Sequence, residues 1–538
     1  MDEPAAEQRD LLVVGTLHTM DPERPRAEAA LIRGGRFVRV GSRAECRAEA
    51  GARTEVLDLG RGSATPGLAD AHGHLLCYGL ALLDVDCTGT RSAEECAARA
   101  AERARATPPG EWVLGRGWDE SAWPEGRLPD AAALSAAAPD HPVVLHRVDG
   151  HAAWLNARAL ARAGIGPATP DPPGGKIVRD AAGEPTGLLV DNALALLRGV
   201  VPPPSAARVE AALRRALAEL PRVGLTSVHD PGVDAATLEV YAALAAADRL
   251  PLRVYAMLDG QAPVDVLVEQ MARWRVTPRV GRLTVRAVKL FADGALGSRG
   301  ARLFEPYADD PASTGLDVTP PDELRRRVLL VARAGYQPCV HAIGDRACYE
   351  TLGHFLAAEQ ELPLAALRPR VEHLQVLRPS DVPLLRASGA VASMQPAHAT
   401  SDGAWVEARL GSGTERLRGA YAWRRVLDAR VPLAFGSDFP VEPPDPLRGL
   451  QAAETRDWLP EQRLTRAEAL RAFTAGAAYA ERAEARRGRI REGYDADLTA
   501  FDGDLLAVPA EALASLVMTY TVVGGRVAHA PGGGARLA

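Results

Sequence analysis

The sequence predicts an α/β protein: a (β/α)8 TIM barrel, a small β-sandwich domain built from both termini, and a large insertion after barrel strand 1. Eight short apolar runs alternate with Ala-, Leu-, Arg- and Glu-rich stretches of helical spacing. Short β-rich segments open and close the chain. The first two predicted barrel strands are separated by about 150 residues, far more than a connecting loop needs.

The β-sandwich domain is predicted from residues 1–64 and 481–538. DLLVVGTLHTMD and AALIRGGRFVRVGS lie in the first segment, and DADLTAFDGD and TYTVVGGRVAHA lie in the second. Each reads as strands joined by tight turns. Because the two ends share this character and the middle does not, we expect them to form one domain.

The barrel is predicted over residues 65–480. Its eight strands are expected in SATPGLADAHGH, GLTSVHD, LRVYAML, LTVRAVKLFADG, YQPCVHAIGD, RVEHLQ, AVASMQP and VPLAFGSD. Residues 80–222 form the insertion and must have a structure of their own. Since the insertion follows the C-terminal end of a strand, we expect it to cover the catalytic face as a lid or cap.

Composition excludes several classes of protein. With 538 residues, 47% of them hydrophobic and 25% charged, the chain is not disordered. A net charge of -6 argues against nucleic-acid binding and favours a small-molecule partner. There is no apolar run of 18 residues, and MDEPAAEQRD is unlike a signal peptide, so we expect a cytoplasmic protein without membrane contact. Six cysteines without a C-x-x-C pair argue against a zinc ribbon.

Lysine is nearly absent from this chain. Of 63 Lys and Arg residues, only Lys176 and Lys289 are lysines. Lys176 lies in a turn-rich stretch, where chance retention explains it. Lys289 lies in the apolar run VRAVKLFADG, where an unpaired ammonium would be costly. A desolvated lysine can become a neutral amine and arginine cannot, so Lys289 is expected to have a chemical role.

Six polar side chains are expected at the rim formed by the C-terminal ends of the barrel strands. In a strand, His72 and His74 project from one face, which suits two ligands of one metal ion. An isolated H-x-H is a weak signal, but four further groups end strands four, five, six and eight. Barrel enzymes keep their active sites at this rim. The six residues predicted to converge at this rim are His72, His74, Lys289, His341, His373 and Asp438.

Ordered motifs along the whole chain resemble the amidohydrolase superfamily and, within it, amidohydrolase family 3, which includes N-substituted formamide deformylases. They are TPGLADAHGHL, GRGWDESAW, VVLHRVDGHAAWLN, GEPTGLLVDNA, VKLFADGALGSR, HAIGDRA, VEHLQ, FGSDFPVEPPDPL and GYDADL. A minor departure is Ala295, where a small polar residue is expected. The resemblance implies a barrel of the metal-dependent hydrolase type.

The resemblance also implies roles for the rim residues. His72, His74 and Asp438 would hold one divalent ion, and His341 and His373 a second. Lys289, carboxylated by carbon dioxide, would bridge the two ions. Imidazole and carboxylate ligands suit zinc, although iron, manganese, cobalt or nickel bind similar sites, and one ion rather than two is the alternative.

The implied reaction is hydrolysis of a C–N bond other than a peptide bond, in an amide, N-formyl or N-acyl compound. The metal site would lower the pKa of a bound water toward ~7 and polarise the carbonyl. Asp438 would act as general base and acid, with Lys289 completing the catalytic centre. An esterase, lactonase or C–C hydrolase could use the same site. A metal-free scaffold, as in the dihydropyrimidinase-related neuronal proteins, would instead predict broken ligands.

Other candidates surround this set. His229 and His398 lie near strand ends and could donate to the substrate or make structural hydrogen bonds. Arg299 could clamp a substrate carboxylate or tie down its own loop. Glu372 and Asp345 could orient imidazoles.

Arg346 is the predicted partner of either of these carboxylates. In the insertion, Asp149, Gly150 and His151 resemble a family motif at the pocket. Trp118 and Trp123 could form an aromatic wall or pack in a core. A homodimer is expected from the frequency of symmetric dimers alone.

Overall fold

The computed structural model describes residues 9–120, 123–124, 126–147, 152–172, 175–276 and 279–532. The chain forms two compact units. One comprises Leu76–Ala216, and the other comprises the residues before and after it. None of the described helices is long and apolar enough to cross a lipid bilayer.

Three sheets contain the strands of the described residues. In chain order the strands are β1 (Leu11–His18), β2 (Arg26–Arg33), β3 (Arg36–Gly41), β4 (Glu55–Pro66), β5 (Leu68–Asp70), β6 (Val85–Asp86), β7 (Val113–Trp118), β8 (Val143–Arg147), β9 (Ala152–Leu155), β10 (Gly175–Arg179), β11 (Pro185–Asp191), β12 (Leu225–Val233), β13 (Arg253–Asp259), β14 (Arg279–Val280), β15 (Leu283–Phe291), β16 (Gln337–Ala342), β17 (Arg370–His373), β18 (Val391–Met394), β19 (Leu433–Phe435), β20 (Leu498–Phe501), β21 (Met518–Val523) and β22 (Arg526–His529).

Helices connect most of these strands. They are α1 (Arg43–Glu49), α2 (Leu75–Leu83), α3 (Ala93–Arg105), α4 (Ala131–Ala137), α5 (Ala157–Arg162), α6 (Ala206–Glu219), α7 (Ala235–Ala246), α8 (Val264–Val276), α9 (Pro321–Arg333), α10 (Asp345–Glu359), α11 (Val382–Ala387), α12 (Pro396–Asp402), α13 (Val406–Leu410), α14 (Glu415–Arg418), α15 (Trp423–Asp428), α16 (Pro446–Thr455), α17 (Arg466–Arg471) and α18 (Ala477–Ala480).

Eight parallel strands form the barrel and confirm the predicted fold class. They pair in the order β5, β12, β13, β15, β16, β17, β18, β19, and the short strand β14 adds to β15 antiparallel. Ala71 N donates to Phe435 O at 3.0 Å, which joins the ends of the first and last strands. Helices cover the outside of a parallel barrel, so its strands are buried on both faces. Accordingly, eight of the nine residues of β12 are buried.

Strands from both ends of the chain form one seven-stranded sheet. Its order is β22-β21-β20-β4-β1-β2-β3, and β4 lies parallel to β1 and antiparallel to β20. Gly34 and Gly35 connect β2 to β3 with φ angles of 56° and 76°. A two-residue hairpin turn of type I′ requires positive φ at both positions, so this glycine pair sets the register of the hairpin.

The unit Leu76–Ala216 has a six-stranded sheet and a hydrophobic core of its own. The strand order is β10-β11-β9-β8-β7-β6. Trp118 and Trp154 are fully buried on this sheet, with ring centroids 6.3 Å apart. Both side chains belong to a hydrophobic core made by residues of this unit.

Candidate metal centre

The structure brings the six predicted metal-binding residues to the C-terminal rim of the barrel. The first two follow β5, the next three lie on β15, β16 and β17, and the last follows β19; in that order they are His72, His74, Lys289, His341, His373 and Asp438. Parallel strands end at the same rim, so residues far apart in sequence meet there.

Their donor atoms converge on a small volume. Ligand atoms of His72, His373 and Asp438 all lie within 4.8 Å of one another. His74 Nε2 is 3.1 Å from Asp438 Oδ1. The ring of His341 lies 4.5 Å from that of His373, centroid to centroid. Five protein donors and Lys289 therefore share one centre.

Asp70 joins the two chain segments that carry His72 and Asp438. Its carboxylate accepts from His72 N at 3.0 Å and from the Ser437 hydroxyl at 2.6 Å. Asp438 N donates to His72 O at 2.7 Å. These bonds hold the ends of β5 and β19 together, and with them the two side chains.

Gly73 allows close packing between the two histidines of the H-x-H motif. A Cβ atom at this position would lie 2.1 Å from Cε1 of Phe439. His74 N donates to Phe439 O at 2.8 Å, so the aromatic residue and the motif are also joined through the backbone. No side chain larger than hydrogen fits here without moving the ring.

Two of the candidate ligands have left-handed backbone conformations. The φ angles are 74° at His373 and 61° at Asp438. Non-glycine residues adopt such angles at a cost of order 1–3 kcal/mol, and they do so mainly at functional sites. The strain falls at the last residue of β17 and in the loop that follows β19.

The tautomer of His72 is set by Glu372, as predicted for a carboxylate that orients an imidazole. His72 Nδ1 donates to Glu372 Oε2 at 2.6 Å, which leaves the Nε2 lone pair for a metal ion. Burial, followed by the charge of Lys289, lowers the pKa of His72 to about 4. A neutral imidazole is the form that binds metal.

Gln395 acts in the same way on His373. His373 Nδ1 donates to Gln395 Oε1 at 2.9 Å, and Gln395 Nε2 donates to Ser393 O at 3.4 Å. The second bond fixes the orientation of the amide. Burial, followed by the charge of His341, holds the pKa of His373 well below its usual range.

His341 lies beside a buried carboxylate that the sequence analysis did not identify. Its Nε2 is 3.7 Å from Asp293 Oδ1, and the backbone amides of Ile343 and Gly344 donate to that carboxylate at 3.0 and 2.8 Å. Asp293 thus ties the DGALGSR segment to the loop after His341. Burial and Lys289 lower the pKa of His341 to about 3.

Lys289 is 1% exposed and is a member of the cluster. Its Nζ lies 3.2 Å from His72 Nε2 and 4.7 Å from the centroid of the Phe291 ring. Burial lowers the pKa of Lys289 to about 8, although Glu372 and then Asp438 oppose the shift. A lowered pKa makes the neutral amine more accessible near neutral pH than in an exposed lysine, which suits the chemistry expected of this residue.

The residues present fit a divalent metal ion. Neutral imidazoles and a carboxylate are ligands that zinc and similar ions prefer. Burial raises the pKa of Asp438, but the adjacent His74 imidazole and the other nearby histidines outweigh it and hold that pKa well below its usual range. The buried Asp438 Oδ1 lies 3.1 Å from His74 Nε2, but that contact is not aligned as a hydrogen bond, and the described residues offer this atom no other partner. A bound cation would satisfy this atom.

A cavity of about 370 Å³ opens beside the cluster. It is lined by five of the predicted metal-binding residues together with neighbouring polar and apolar side chains: His74, Lys289, Phe291, Ala295, Leu296, Gly297, His341, Ile343, His373, Gln375, His398, Asp402, Trp405, Asp438, Val441 and Glu442. The size is that of a pocket for a small molecule.

His398 lines this cavity, whereas His229 is not among its described lining residues. His398 Nδ1 accepts from Gln375 Nε2 at 3.3 Å, so its proton lies on Nε2. That Nε2 is buried, lies 3.8 Å from Asp438 Oδ2, and has no hydrogen-bond partner among the described residues. His229 is fully buried, and its Nδ1 accepts from Arg370 at 3.0 Å.

Arg299 ties down its own loop, which was one of its two predicted roles. Its Nη2 and Nε lie 2.9 and 3.2 Å from the carboxylate oxygens of Asp309. Asp345 accepts from Phe304 N at 3.0 Å, and Arg346 pairs with Glu350 at 2.8 Å. Asp345 thus caps a backbone amide instead of orienting an imidazole, and Arg346 pairs within its own helix and not with the predicted Asp345 or Glu372, the latter being the partner of Arg370.

The candidates in the insertion are placed only in part. Trp118 and Trp123 are 0% and 5% exposed and belong to the hydrophobic core of their own unit. Trp118 Nε1 donates to Leu145 O at 2.7 Å. Asp149, Gly150 and His151 lie outside the described residues.

Fold and site together define a barrel hydrolase with a metal centre. The family model described as "Amidohydrolase family" matches residues 55–529, and the chain belongs to this family. It is therefore a hydrolase of the metal-dependent amidohydrolase superfamily, and the resemblance seen in its motifs is confirmed.

Named relatives and a solved structure agree with this assignment. The chain is 35% identical to "Putative amidohydrolase YtcJ" of Bacillus subtilis, over 96% of this chain and 98% of that protein. It is 28% identical to the N-substituted formamide deformylase of Arthrobacter pascens, over 96% and 98%. An uncharacterized metal-dependent hydrolase from Pyrococcus furiosus superposes with a TM-score of 0.78 at 28% identity, over 92% of this chain and 100% of that chain.

Proposed function

We propose that this protein hydrolyses a C–N bond other than a peptide bond, in an amide, N-formyl or N-acyl compound. The observation that carries the proposal is the buried cluster of His72, His373 and Asp438 beside a cavity of small-molecule size. The name of the Arthrobacter relative, an N-substituted formamide deformylase, supports this choice of bond.

The metal-binding assignment is part of the proposal. His72, His74 and Asp438 would hold one divalent ion, His341 and His373 would hold a second, and Lys289, carboxylated by carbon dioxide, would be a ligand shared by the two. Zinc is the proposed metal, with two ions per chain. When bound, the metal supplies a Lewis acid that polarises the carbonyl and lowers the pKa of water toward ~7.

The protein's own residues then handle the protons. Asp438 is ionised and buried, so it can accept a proton from the attacking water and deliver it to the leaving nitrogen. His398 presents its Nε2–H to the cavity beside Asp438 and donates a hydrogen bond to the substrate carbonyl oxygen. Gln375 keeps the proton on that nitrogen.

The proposal extends to the setting of the enzyme. The substrate is a small molecule, and no nucleic acid or membrane takes part. The protein is proposed to be cytoplasmic and to form a homodimer. Light scattering on the purified protein measures the molar mass of the particle in solution, and the mass of a monomer would contradict the proposed homodimer.

Metal analysis of freshly purified protein is the first test. We expect about two ions per chain, falling to one or none in Lys289→Ala. Lys176→Ala is the matched control, because it removes the other lysine of the chain and should keep both ions. One ion that Lys289→Ala leaves in place would instead support a mononuclear site, and no metal in any sample would support the scaffold alternative.

Substrate pairs identify the bond. An N-formyl amine and the formate ester of the matching alcohol differ only in the leaving atom. For each compound, the enzymatic rate is divided by the uncatalysed rate. We expect this rate enhancement to be larger for the amide than for the ester. Turnover of esters or lactones alone would make the protein an esterase on the same metal site.

A further inference from the structure

Arg370 is a fully buried cation that lies between two buried histidines of the barrel. It is the first residue of β17 and is 0% exposed. An arginine with no access to water must have its donors satisfied by the protein. Its neighbours are therefore informative about why the barrel keeps it.

Two of its three guanidinium nitrogens lie beside Glu372, two residues further along the same strand face. Arg370 Nη2 donates to Glu372 Oε2 at 3.1 Å, and Nε lies 2.7 Å from Oε1. Nη2 also donates to Ala71 O at 2.7 Å and to the Ser393 hydroxyl at 2.8 Å. The guanidinium is thus fixed to three barrel strand segments, and it fixes the carboxylate in turn.

Through Glu372, Arg370 determines the proton position on His72. Glu372 Oε2 accepts both from Arg370 and from His72 Nδ1. An ionised carboxylate can only accept, so the Nδ1 proton of His72 is held and its Nε2 lone pair faces the metal centre.

On its other side, Arg370 imposes the opposite proton position on His229. Arg370 Nη1 donates to His229 Nδ1 at 3.0 Å, so the ring proton must lie on Nε2. That Nε2 is buried, lies 4.0 Å from Glu481 Oε2, and has no hydrogen-bond partner among the described residues. With one nitrogen occupied and the other protonated, His229 has no lone pair left for a metal.

We propose that Arg370 is the positioning residue of the metal centre. Through Glu372 it holds His72 in the tautomer that can bind a metal ion, and it holds the neighbouring His229 in the opposite tautomer. The inference rests on the proposed metal site but not on the substrate or on the bond that is cleaved.

The tautomers can be read in the wild-type protein before any residue is changed. Nitrogen NMR of ¹⁵N-histidine-labelled, metal-free protein distinguishes protonated from unprotonated ring nitrogens. His72→Asn and His229→Asn spectra assign the two rings. We expect a proton on Nδ1 of His72 and on Nε2 of His229; the reverse in either ring would overturn the proposal.

Zinc affinity of Arg370→Lys tests the consequence. Lysine keeps the charge but cannot contact Glu372 and His229 in a fixed geometry. We expect zinc affinity to fall by about 10- to 100-fold, the usual effect of losing a group that orients a metal ligand. His72 should also show a second tautomer in the metal-free protein.

Arg253→Lys is the matched control. Arg253 is also buried and pairs with a carboxylate, Asp497, at 2.7 and 2.9 Å, but it makes no recorded contact with the metal centre. It should lose stability without losing zinc affinity. Unchanged affinity and tautomers in Arg370→Lys would make Arg370 a structural residue only.

If Arg370→Lys does not fold, Glu372→Gln with the wild-type spectrum decides the question. Glutamine still fills the site but is a weaker anchor for both partners, so zinc affinity should again fall. If the wild type binds zinc with the expected tautomers but hydrolyses none of the amides tested, the proposed function fails and this inference stands.

Discussion

His72 and Glu372 are 300 positions apart in the chain and share a hydrogen bond of 2.6 Å between side chains that are both fully buried. The bond spans from the end of the first barrel strand to the sixth. Low dielectric surroundings strengthen such a bond and make each partner costly to leave unpaired. The candidate metal centre therefore depends on a buried bond between barrel strands that are far apart in the sequence.

Asp438→Asn should abolish proton transfer while leaving the cavity intact. We expect kcat for an N-formyl amine to fall by about 10²–10⁴-fold, the usual contribution of a positioned acid or base. Metal content is measured in the same sample, because Asp438 is also a proposed ligand. A variant that keeps both its metal and most of its kcat would exclude Asp438 as the base.

Gly73→Ala should damage the site and spare the barrel. The added methyl overlaps the Phe439 ring, so either the ring or the backbone that carries His72 and His74 must shift. We expect metal content to fall while the melting temperature changes little, and Gly73→Ala/Phe439→Ala to recover part of the metal. Gly353→Ala is the control: nothing lies within 4 Å of its added methyl, and this exposed helical site should gain up to about 1 kcal/mol.

His398→Phe tests the proposed donor to the substrate carbonyl. The ring is retained and the Nε2–H is lost, so we expect kcat to fall by about 10²–10³-fold with metal content unchanged. Steady-state kinetics and metal analysis measure the two effects. His398→Gln, which restores a side-chain N–H, should recover part of kcat; no loss in the Phe variant would assign His398 a structural role.

Asp497 should make the stability of the protein depend on pH. Burial opposes its ionisation, but the contact with Arg253 outweighs burial, so its pKa is lowered in the folded state. The stabilisation is therefore complete above the unfolded-state pKa of about 4 and is lost as pH falls through the folded-state pKa. Breaking this buried pair with Asp497→Asn should cost about 3–5 kcal/mol at pH 7 and less at pH 3.5.

Urea-induced unfolding at both pH values measures this difference. Asp248→Asn is the control, since Asp248 and its partner Arg526 are 58% and 48% exposed. Exposed ion pairs add little, so this variant should lie close to the wild type at both pH values. If Asp497→Asn lowered the free energy of unfolding equally at pH 7 and pH 3.5, the ionised Asp497–Arg253 pair would be ruled out as the source of the stabilisation.

The barrel and its rim residues could be predicted because they follow local rules. A strand's period of two puts His72 and His74 on one face, and parallel strands end at one rim. The scarcity of lysine directed attention to Lys289. These signals need only the residues themselves and their neighbours in sequence.

Roles that depend on a partner far away in the sequence could not be predicted from the sequence. The residues next to Arg370 in the sequence do not indicate that it contacts His229, which lies 141 positions away. Asp293 gave no signal beside His341 for the same reason. For Arg299 the sequence left open a substrate clamp or a bond within its own loop, and the observed partner is Asp309. For Trp118 it left open a pocket wall or core packing, and the side chain is observed in the core of its unit.

The pairing of β4 with β20 has a consequence for synthesis of the protein on the ribosome. Ser63, at the edge that β4 offers to β20, hydrogen-bonds Gly503, 440 positions later. At 5–20 residues per second, this edge must wait roughly 20–90 s for its partner to be translated. An unpaired strand edge is a template for association with other chains. The nascent protein is therefore most in need of a chaperone during the interval in which its enzymatic core is already being built.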